Sequence, residues 1–178
     1  PEVRPSKTSP VLNTFPRVTD EFRRLSADLR QRFPGVRSVL VTAAESGAGT
    51  TQIAINLAST LAESSRTLLV DANLRAPAIH TQMGVALEGG VHDFSGDSPP
   101  QYKVTRIKNL FVLTAGVKPA STPDPDAHLA RLVEQVANDF DFVVWDSPPL
   151  VAYPDGRSLA GLVGGTIVVI EADQTPLH

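Results

Sequence analysis

Short apolar runs alternate with helical segments along this chain, and the alternation limits the fold more than any other feature. Residues 38–42, 67–70, 110–113, 142–145 and 165–170 are each too short for a buried helix and read as strands apolar throughout. Between them, Ile53, Ala54, Leu57, Ala58 and Leu61 recur at helical spacing in a segment starting at Thr50 or Thr51. Leu129, Leu132, Val133 and Val136 do the same within residues 127–137. Apolar strands that take turns with helices predict a parallel sheet covered on both faces, an α/β layered domain.

Composition supports one core. The chain has 178 residues and is 42% hydrophobic and 20% charged, with a mean hydropathy of −0.03, which excludes the disordered class. No run approaches the roughly 18 apolar residues of a membrane span. There is no cysteine, so disulfides, thiol nucleophiles and zinc-thiolate sites are excluded together. His80, His92, His128 and His178 show no metal-ligand spacing. The net charge of −3 hides a basic head and an acidic body: residues 1–37 carry eight Lys/Arg against four acids, residues 38–178 eight against fifteen. The head reads either as a solvated face or as a contact for an acidic surface. Four prolines without periodicity make residues 1–19 a linker, and the domain is expected over 20–178. Phe22, Leu25, Leu29 and Phe33 predict a first helix from Asp20, with Thr19 as its N-cap and Pro34-Gly35 as its end. Residues 85–102 read as surface loops with one short helix. The first residue is Pro1, so the chain is expected to be cut from something longer or processed, with no signal or transit segment in view.

In an open α/β sheet, ligands bind beyond the carboxyl ends of the strands. The first strand is followed there by Ala43-Ala44-Glu45-Ser46-Gly47-Ala48-Gly49-Thr50-Thr51, the second by Asp71-Ala72-Asn73-Leu74-Arg75, and that of 142–145 by Asp146-Ser147-Pro148-Pro149. A phosphate loop needs glycines that turn backbone N–H groups around an anion, a lysine for the β and γ phosphates, and a Ser/Thr hydroxyl for magnesium. Gly47, Gly49 and Thr51 supply the turn and the hydroxyl, and the helix behind them a favourable dipole. The lysine is missing, with Thr50 in its place. On the residues alone, Asp71 and Asp146 either serve such a site or cap helices and hydrogen-bond a neighbouring loop; Thr50 could be an N-cap, and Pro148 and Pro149 could merely lead the chain out of the sheet.

Three signatures together carry a resemblance: this loop, Leu-Leu-Val-Asp71-Ala-Asn73-Leu-Arg75, and Phe-Val-Val-Trp-Asp146-Ser-Pro148-Pro149. The combination resembles the bacterial tyrosine kinases (BY-kinases) of capsule and exopolysaccharide assembly, relatives of the ParA/MinD-type P-loop ATPases. The likeness continues through Asn109 to Gly116 and reaches Gln174-Thr175-Pro176. It implies a P-loop NTPase-like, three-layer α/β/α domain that binds ATP or ADP with Mg. Carried over by position, Gly47, Ala48, Gly49, Thr50, Thr51 and Arg75 would bind nucleotide. Thr51, Asp71 and Asp146 would hold magnesium, with Asp71 and Asp146 as the vestigial catalytic acids.

The departures shape the functional expectation. Thr50 removes the charge placed on a transferring phosphate, and phosphoryl transfer is mostly positioning and electrostatics. Asn73 stands where the family has a second acid, and the family's oligomerisation motif on the first helix becomes Asp20-x-x-Arg23-x-x-Ser26. Only Tyr102 and Tyr153 are present, so the tyrosine-rich tail of relatives is not, and the C-terminal edge is expected to be shortened. The resemblance therefore implies a pseudokinase module of polysaccharide export, cytoplasmic at the inner face of the inner membrane. Its partner would be a Wzz-like polysaccharide co-polymerase, and a homo-oligomer is possible by the same analogy. An active kinase or ATPase with a substitute cation, and a plain interaction scaffold docking through the first helix, are the alternatives. Nucleic acid is not an expected partner, since the body is acidic and carries no Lys/Arg stripe with aromatics.

Overall fold

A computed structural model describes residues 16–96, 98–118, 125–150 and 155–171. The linker segment 1–15, Tyr153 and residues 174–176 lie outside the described residues. In chain order the elements are α1 (Pro16–Arg32), β1 (Ser38–Ala43), α2 (Thr50–Leu61), β2 (Thr67–Asp71), α3 (Ile79–Met83), a 3-10 turn (Val91–Asp93), β3 (Lys103–Val104), β4 (Leu110–Leu113), α4 (Pro125–Asp139), β5 (Phe142–Asp146), α5 (Asp155–Ala160) and β6 (Gly165–Val169). The strands form one sheet in the order β3-β4-β2-β5-β1-β6. Every pairing is parallel except β3 with β4, a two-residue antiparallel edge to which sequence analysis assigns no element. Among the described residues no helix is long and apolar enough to cross a membrane.

Alternate residues of the central strands feed two cores. Val39 and Val41 of β1, Leu69 of β2 and Val144 of β5 pack with Phe22 and Leu29 of α1 and with Ile55, Leu57 and Leu61 of α2. Leu40, Leu68, Val70, Val143 and Trp145 point the other way, onto Leu132 and Val136 of α4 and Leu159 of α5. This is the layered α/β/α arrangement expected from apolar runs without alternation. The edge strand β6 departs from that expectation. It carries the predicted apolar residues, but Val168 is 51% exposed and Ile170, just beyond its end, 54%. An edge strand is covered only where a neighbouring layer reaches it, which an apolar pattern alone does not reveal.

Two features of α1 correct the sequence reading. The helix begins at Pro16, so Thr19 lies inside it and caps nothing; proline at a first helical position gives up an N–H that has no partner there anyway. Phe33 lies past the helix end and is 55% exposed. Among the described residues, four basic side chains of the head find partners within the fold. Arg23 pairs with Glu63 (3.2 Å) and more loosely with Asp20, Arg24 with Glu21, and Arg32 with Asp28. Arg30 donates to Ser65 Oγ and the Leu61 carbonyl and lies 4.8 Å over the Phe142 ring. Exposed pairs like these contribute little to stability, yet they leave α1 a mixed surface instead of a uniformly basic one. Ser26, at the last position of the altered family motif, is buried.

The 3-10 turn sits against the end of β4: Val91 N donates to the Thr114 carbonyl and His92 N to that of Ala115, both at 2.8 Å. The approach is close at Gly90, where an added Cβ would lie 2.2 Å from both Gly116 N and Thr114 O. Backbone cannot move aside as a flexible side chain can. Gly90→Ala is therefore expected to destabilise the protein by about 2 kcal/mol or more, measured as the shift of a urea midpoint; an unchanged midpoint would show that the turn does not pack there.

Candidate functional site

The topology opens one crevice at the carboxyl edge of the sheet. From β1 the chain crosses over β5 to reach β2 by way of α2, and from β5 it crosses back over β1 to reach β6 by way of α5. The two connections leave on opposite faces, which places a ligand crevice beyond the ends of β1 and β5. The loop 44–49 and the residues after β2 and β5 converge there.

The loop turns on two glycines with positive φ, Gly47 at 94° and Gly49 at 76°. Side chains rarely adopt this conformation, although the space beside both is open, with no atom within 4 Å of an added Cβ. Gly49 is the N-cap of α2 and offers no side-chain cap, so Thr50 is the first helical residue and not the N-cap. Backbone N–H groups at such a helix start, without a side-chain acceptor, form a ready anion site. Ala48 and Thr50 are partly exposed at its rim, and Glu45 is exposed.

Beneath the loop lie two carboxylates. Asp71 and Asp146 end neighbouring strands and sit directly in register, at 0% and 1% exposure. Thr51 Oγ1 donates to Asp146 Oδ2 at 2.7 Å, joining the first turn of α2 to the end of β5. Asp71 Oδ2 accepts from the backbone N–H groups of Ala78 and Ile79 at 3.2 and 3.1 Å. The capping reading of Asp71 thus holds, since it anchors the start of α3 while standing beside Asp146 at the strand ends. The Oδ1 atoms of Asp71 and Asp146 are buried without any hydrogen-bond partner. Burial pushes the Asp71 carboxyl up to about 6, against the pull of its backbone donors. Burial raises Asp146 to about 7, opposed by the Thr51 hydrogen bond and reinforced by the charge of Asp71.

The surrounding chain holds these groups in place. Ser147 N donates to the Val41 carbonyl and Leu150 N to that of Ala43, both at 3.1 Å, while Thr42 Oγ1 donates to the Pro148 carbonyl at 3.0 Å. The segment after β5 is thus laced to β1, a larger role for Pro148 than simply leading the chain away. Asn73 turns its side chain into its own loop, Oδ1 accepting from Ala76 N at 3.3 Å, and Arg75 lies exposed on that loop. His92 is a neighbour that no motif points to: its imidazole hydrogen-bonds the Leu74 backbone, and burial lowers its pKa. Eighteen residues separate the two, so only folding brings them together. Tyr102 lies near the opposite edge, its hydroxyl donating to Asp139 at 2.7 Å and its ring meeting Phe140 edge-on at 4.8 Å.

Two unpartnered carboxylate oxygens beside a threonine hydroxyl fit magnesium, which takes one or two carboxylates and keeps several waters. Among the described residues no cluster of three or more His, Cys, Asp or Glu could form an all-protein cage. Thr51, Asp146 and Asp71 would hold the ion, and its charge would screen the oxygens of a bound phosphate. The loop N–H groups would orient that phosphate, and Thr50 would add no charge to it.

Comparisons with known proteins agree with this fold. No family model matches the chain. It is 30% identical over 149 residues to the tyrosine-protein kinase YwqD of Bacillus subtilis, across 79% of this chain and 62% of the relative. It is 31% identical over 183 residues to the succinoglycan biosynthesis transport protein ExoP of Rhizobium meliloti, across 96% of this chain but 23% of that protein. The chain therefore spans less than two thirds of either. Its structure superimposes on the kinase domain of VpsO with a TM-score of 0.76 at 28% identity, covering 90% of this chain and 84% of the other. The septum site-determining protein MinD of Pyrococcus horikoshii, complexed with Mg-ADP, shares the fold at a TM-score of 0.65 and 20% identity, across 75% of this chain and 57% of that one.

Proposed function

From its membership by homology of the bacterial tyrosine-kinase family, on the MinD-like P-loop fold, we propose that this chain is a kinase-fold module of bacterial capsule or exopolysaccharide biosynthesis that no longer transfers phosphate. The observation that carries this reading is Thr50, a neutral side chain at the head of α2 in a loop that otherwise keeps its glycines, its hydroxyl at Thr51 and both strand-end acids. Nothing else in the loop supplies a cation, and losing one preorganised charge commonly costs about a hundredfold or more in rate. Tyr102 supports the reading from another side, since its hydroxyl is engaged with Asp139.

Nucleotide binding is weak and rests on backbone donors. The partner is a membrane polysaccharide co-polymerase of the Wzz type, a reading that the kinship with ExoP supports. The module works on the cytoplasmic side of the inner membrane, with oligomers weakened by Ser26 where relatives carry arginine.

Calorimetry with Mg·ATP, together with a radiolabelled phosphotransfer assay with and without the co-polymerase, tests the proposal. Binding in the high micromolar range or weaker, without labelled product, is the expected result. Micromolar binding with turnover would overturn it.

A further inference from the structure

The strands β1, β2, β4 and β5 run the same way, so their amino ends share the edge of the sheet opposite the crevice. Backbone hydrogen bonds run along that edge: Val143 N donates to the Arg37 carbonyl at 2.8 Å, Asp141 N to that of Arg66 and Thr67 N to that of Asn109, both at 2.9 Å. Cations lead into three of these strands, Arg37 before β1, Arg66 before β2, and Arg106 with Lys108 before β4. All four are exposed, and none makes an ion pair with a described acid. The Arg66 guanidinium is steadied instead over the rings of Phe111 and Phe140, at 4.9 and 5.0 Å. The acids of this edge are Asp139 and Asp141, which accept from the Tyr102 hydroxyl and the Arg66 backbone N–H. Four cations against two acids make the edge basic in a chain whose net charge is −3. Cations on an edge strand can serve to deter strand pairing, but β1 and β2 are interior strands with no edge to guard.

Two large apolar side chains stand out of the same edge. Phe33, in the turn that leads to β1, is 55% exposed, and Val104 of β3, paired with the second residue of β4, is 77% exposed. Four strand spacings separate β1 from β3, roughly 19 Å, so the two flank a broad face with the cations between and beside them. Exposed apolar groups framed by unpaired cations suit a surface of anionic headgroups over hydrocarbon. The opposite edge carries Glu45, Asp71 and Asp146, which such a surface repels. Resting on the reading that this module works at the inner face of the membrane, we propose that the amino edge of the sheet docks directly on an anionic bilayer. Phe33 and Val104 enter the headgroup layer, Arg37, Arg66, Arg106 and Lys108 meet lipid phosphates, and the crevice faces away from the membrane.

Vesicle flotation of the full chain tests this. Each Lys or Arg near the surface adds about fivefold, so equimolar phosphatidylcholine and phosphatidylglycerol should bind the chain about 25-fold or more tighter than phosphatidylcholine alone. The preference should vanish in about 1 M NaCl, where the Debye length is about 3 Å. Arg37→Glu combined with Lys108→Glu should abolish it, and Phe33→Ser should weaken binding about tenfold; all three positions are exposed, so the fold is kept. The chain has no cysteine, and the space beside Gly35 is open. An environment-sensitive fluorophore on Gly35→Cys should therefore shift to the blue with anionic vesicles, while one on Ser46→Cys in the crevice loop should not. No binding to anionic vesicles overturns the inference and leaves the co-polymerase reading standing, with the partner alone holding the module at the membrane. Binding that the double reversal does not weaken, or a blue shift at Ser46, also overturns it, since another face then docks. Binding to poly-glutamate but to neither vesicle overturns it in favour of an acidic protein partner. Vesicle docking by a chain that does not bind the co-polymerase overturns the partner reading instead and leaves the docking edge.

Discussion

Replacing Asp146 with Asn should make the metal-free protein more stable at pH 8, while leaving it close to wild type near pH 4. A carboxyl whose folded pKa is raised keeps its proton more tightly in the native state than in the unfolded chain. The native state then binds more protons across the interval between the two values, and stability falls as pH rises through it. For Asp146 that interval runs from the ordinary 3.8 to about 7, and for Asp71 from 3.8 to about 6. Above pH 7 both groups are charged in the fold and their full cost is present; as pH falls toward 4 the cost disappears. At 1.36 kcal/mol per pKa unit, the pair together accounts for a cost on the order of several kcal/mol. Asp71 contributes to the rise at Asp146, so removing one charge relieves its neighbour as well. An Asn side chain retains an oxygen to accept the Thr51 hydroxyl. Urea midpoints in EDTA between pH 4 and 8 should therefore diverge, with Asp146→Asn ahead by an amount on the order of several kcal/mol at the alkaline end. Parallel curves would mean that Asp146 is not an unpartnered buried acid.

Trp145→Ala should be the most damaging single change in the core. Trp145 is fully buried on β5, which lies between β2 and β1, and packs in one cluster with Leu40, Leu132 and Leu159. Its Nε1 donates to Ser38 Oγ at 2.9 Å, which ties β5 to the first residue of β1. Truncation to alanine leaves a large void that the sheet cannot close, at a cost of about 3–5 kcal/mol. Against total stabilities of roughly 5–15 kcal/mol, that is enough to unfold a marginal domain at 37 °C. Trp145→Phe keeps most of the volume and loses the hydrogen bond, so a smaller cost of about 1–2 kcal/mol is expected. Far-UV circular dichroism in urea reads both variants. Trp145 is the only tryptophan, so its emission reports wild-type unfolding directly. A Trp145→Ala midpoint within about 1 kcal/mol of wild type would contradict the burial described above.

Apolar runs ending in Asp71 and Asp146, and the small-residue turn through Gly47 and Gly49, were enough to predict the layered fold and the elements that build the site. The reason is physical: a strand covered on both faces must be apolar at every position, and a tight strand-to-helix turn requires glycine where φ is positive. The start of α1 at Pro16 was not legible, because a helix packed on a neighbour can extend through a proline-bearing segment whose local pattern reads as linker. The β3 edge was hidden for a similar reason, since two residues carry no periodicity. The exposure of Val168 and Ile170 depends on which strand lies at the edge, and strand order is not written in any local pattern.

By itself, then, the sequence determined the α/β class, the chemistry at each strand end and the neutral residue at position 50, all properties of short stretches of chain. Only the tertiary structure decided that Asp71 and Asp146 stand side by side with oxygens unpartnered, that Asp71 also anchors α3, that His92 supports the Leu74 loop, and that Arg23 of α1 pairs with Glu63. Each of these joins residues distant in the chain through strand register or packing, and the resulting loss of water around the two carboxyls, which no local pattern encodes, is what raises them above the ordinary carboxylate range.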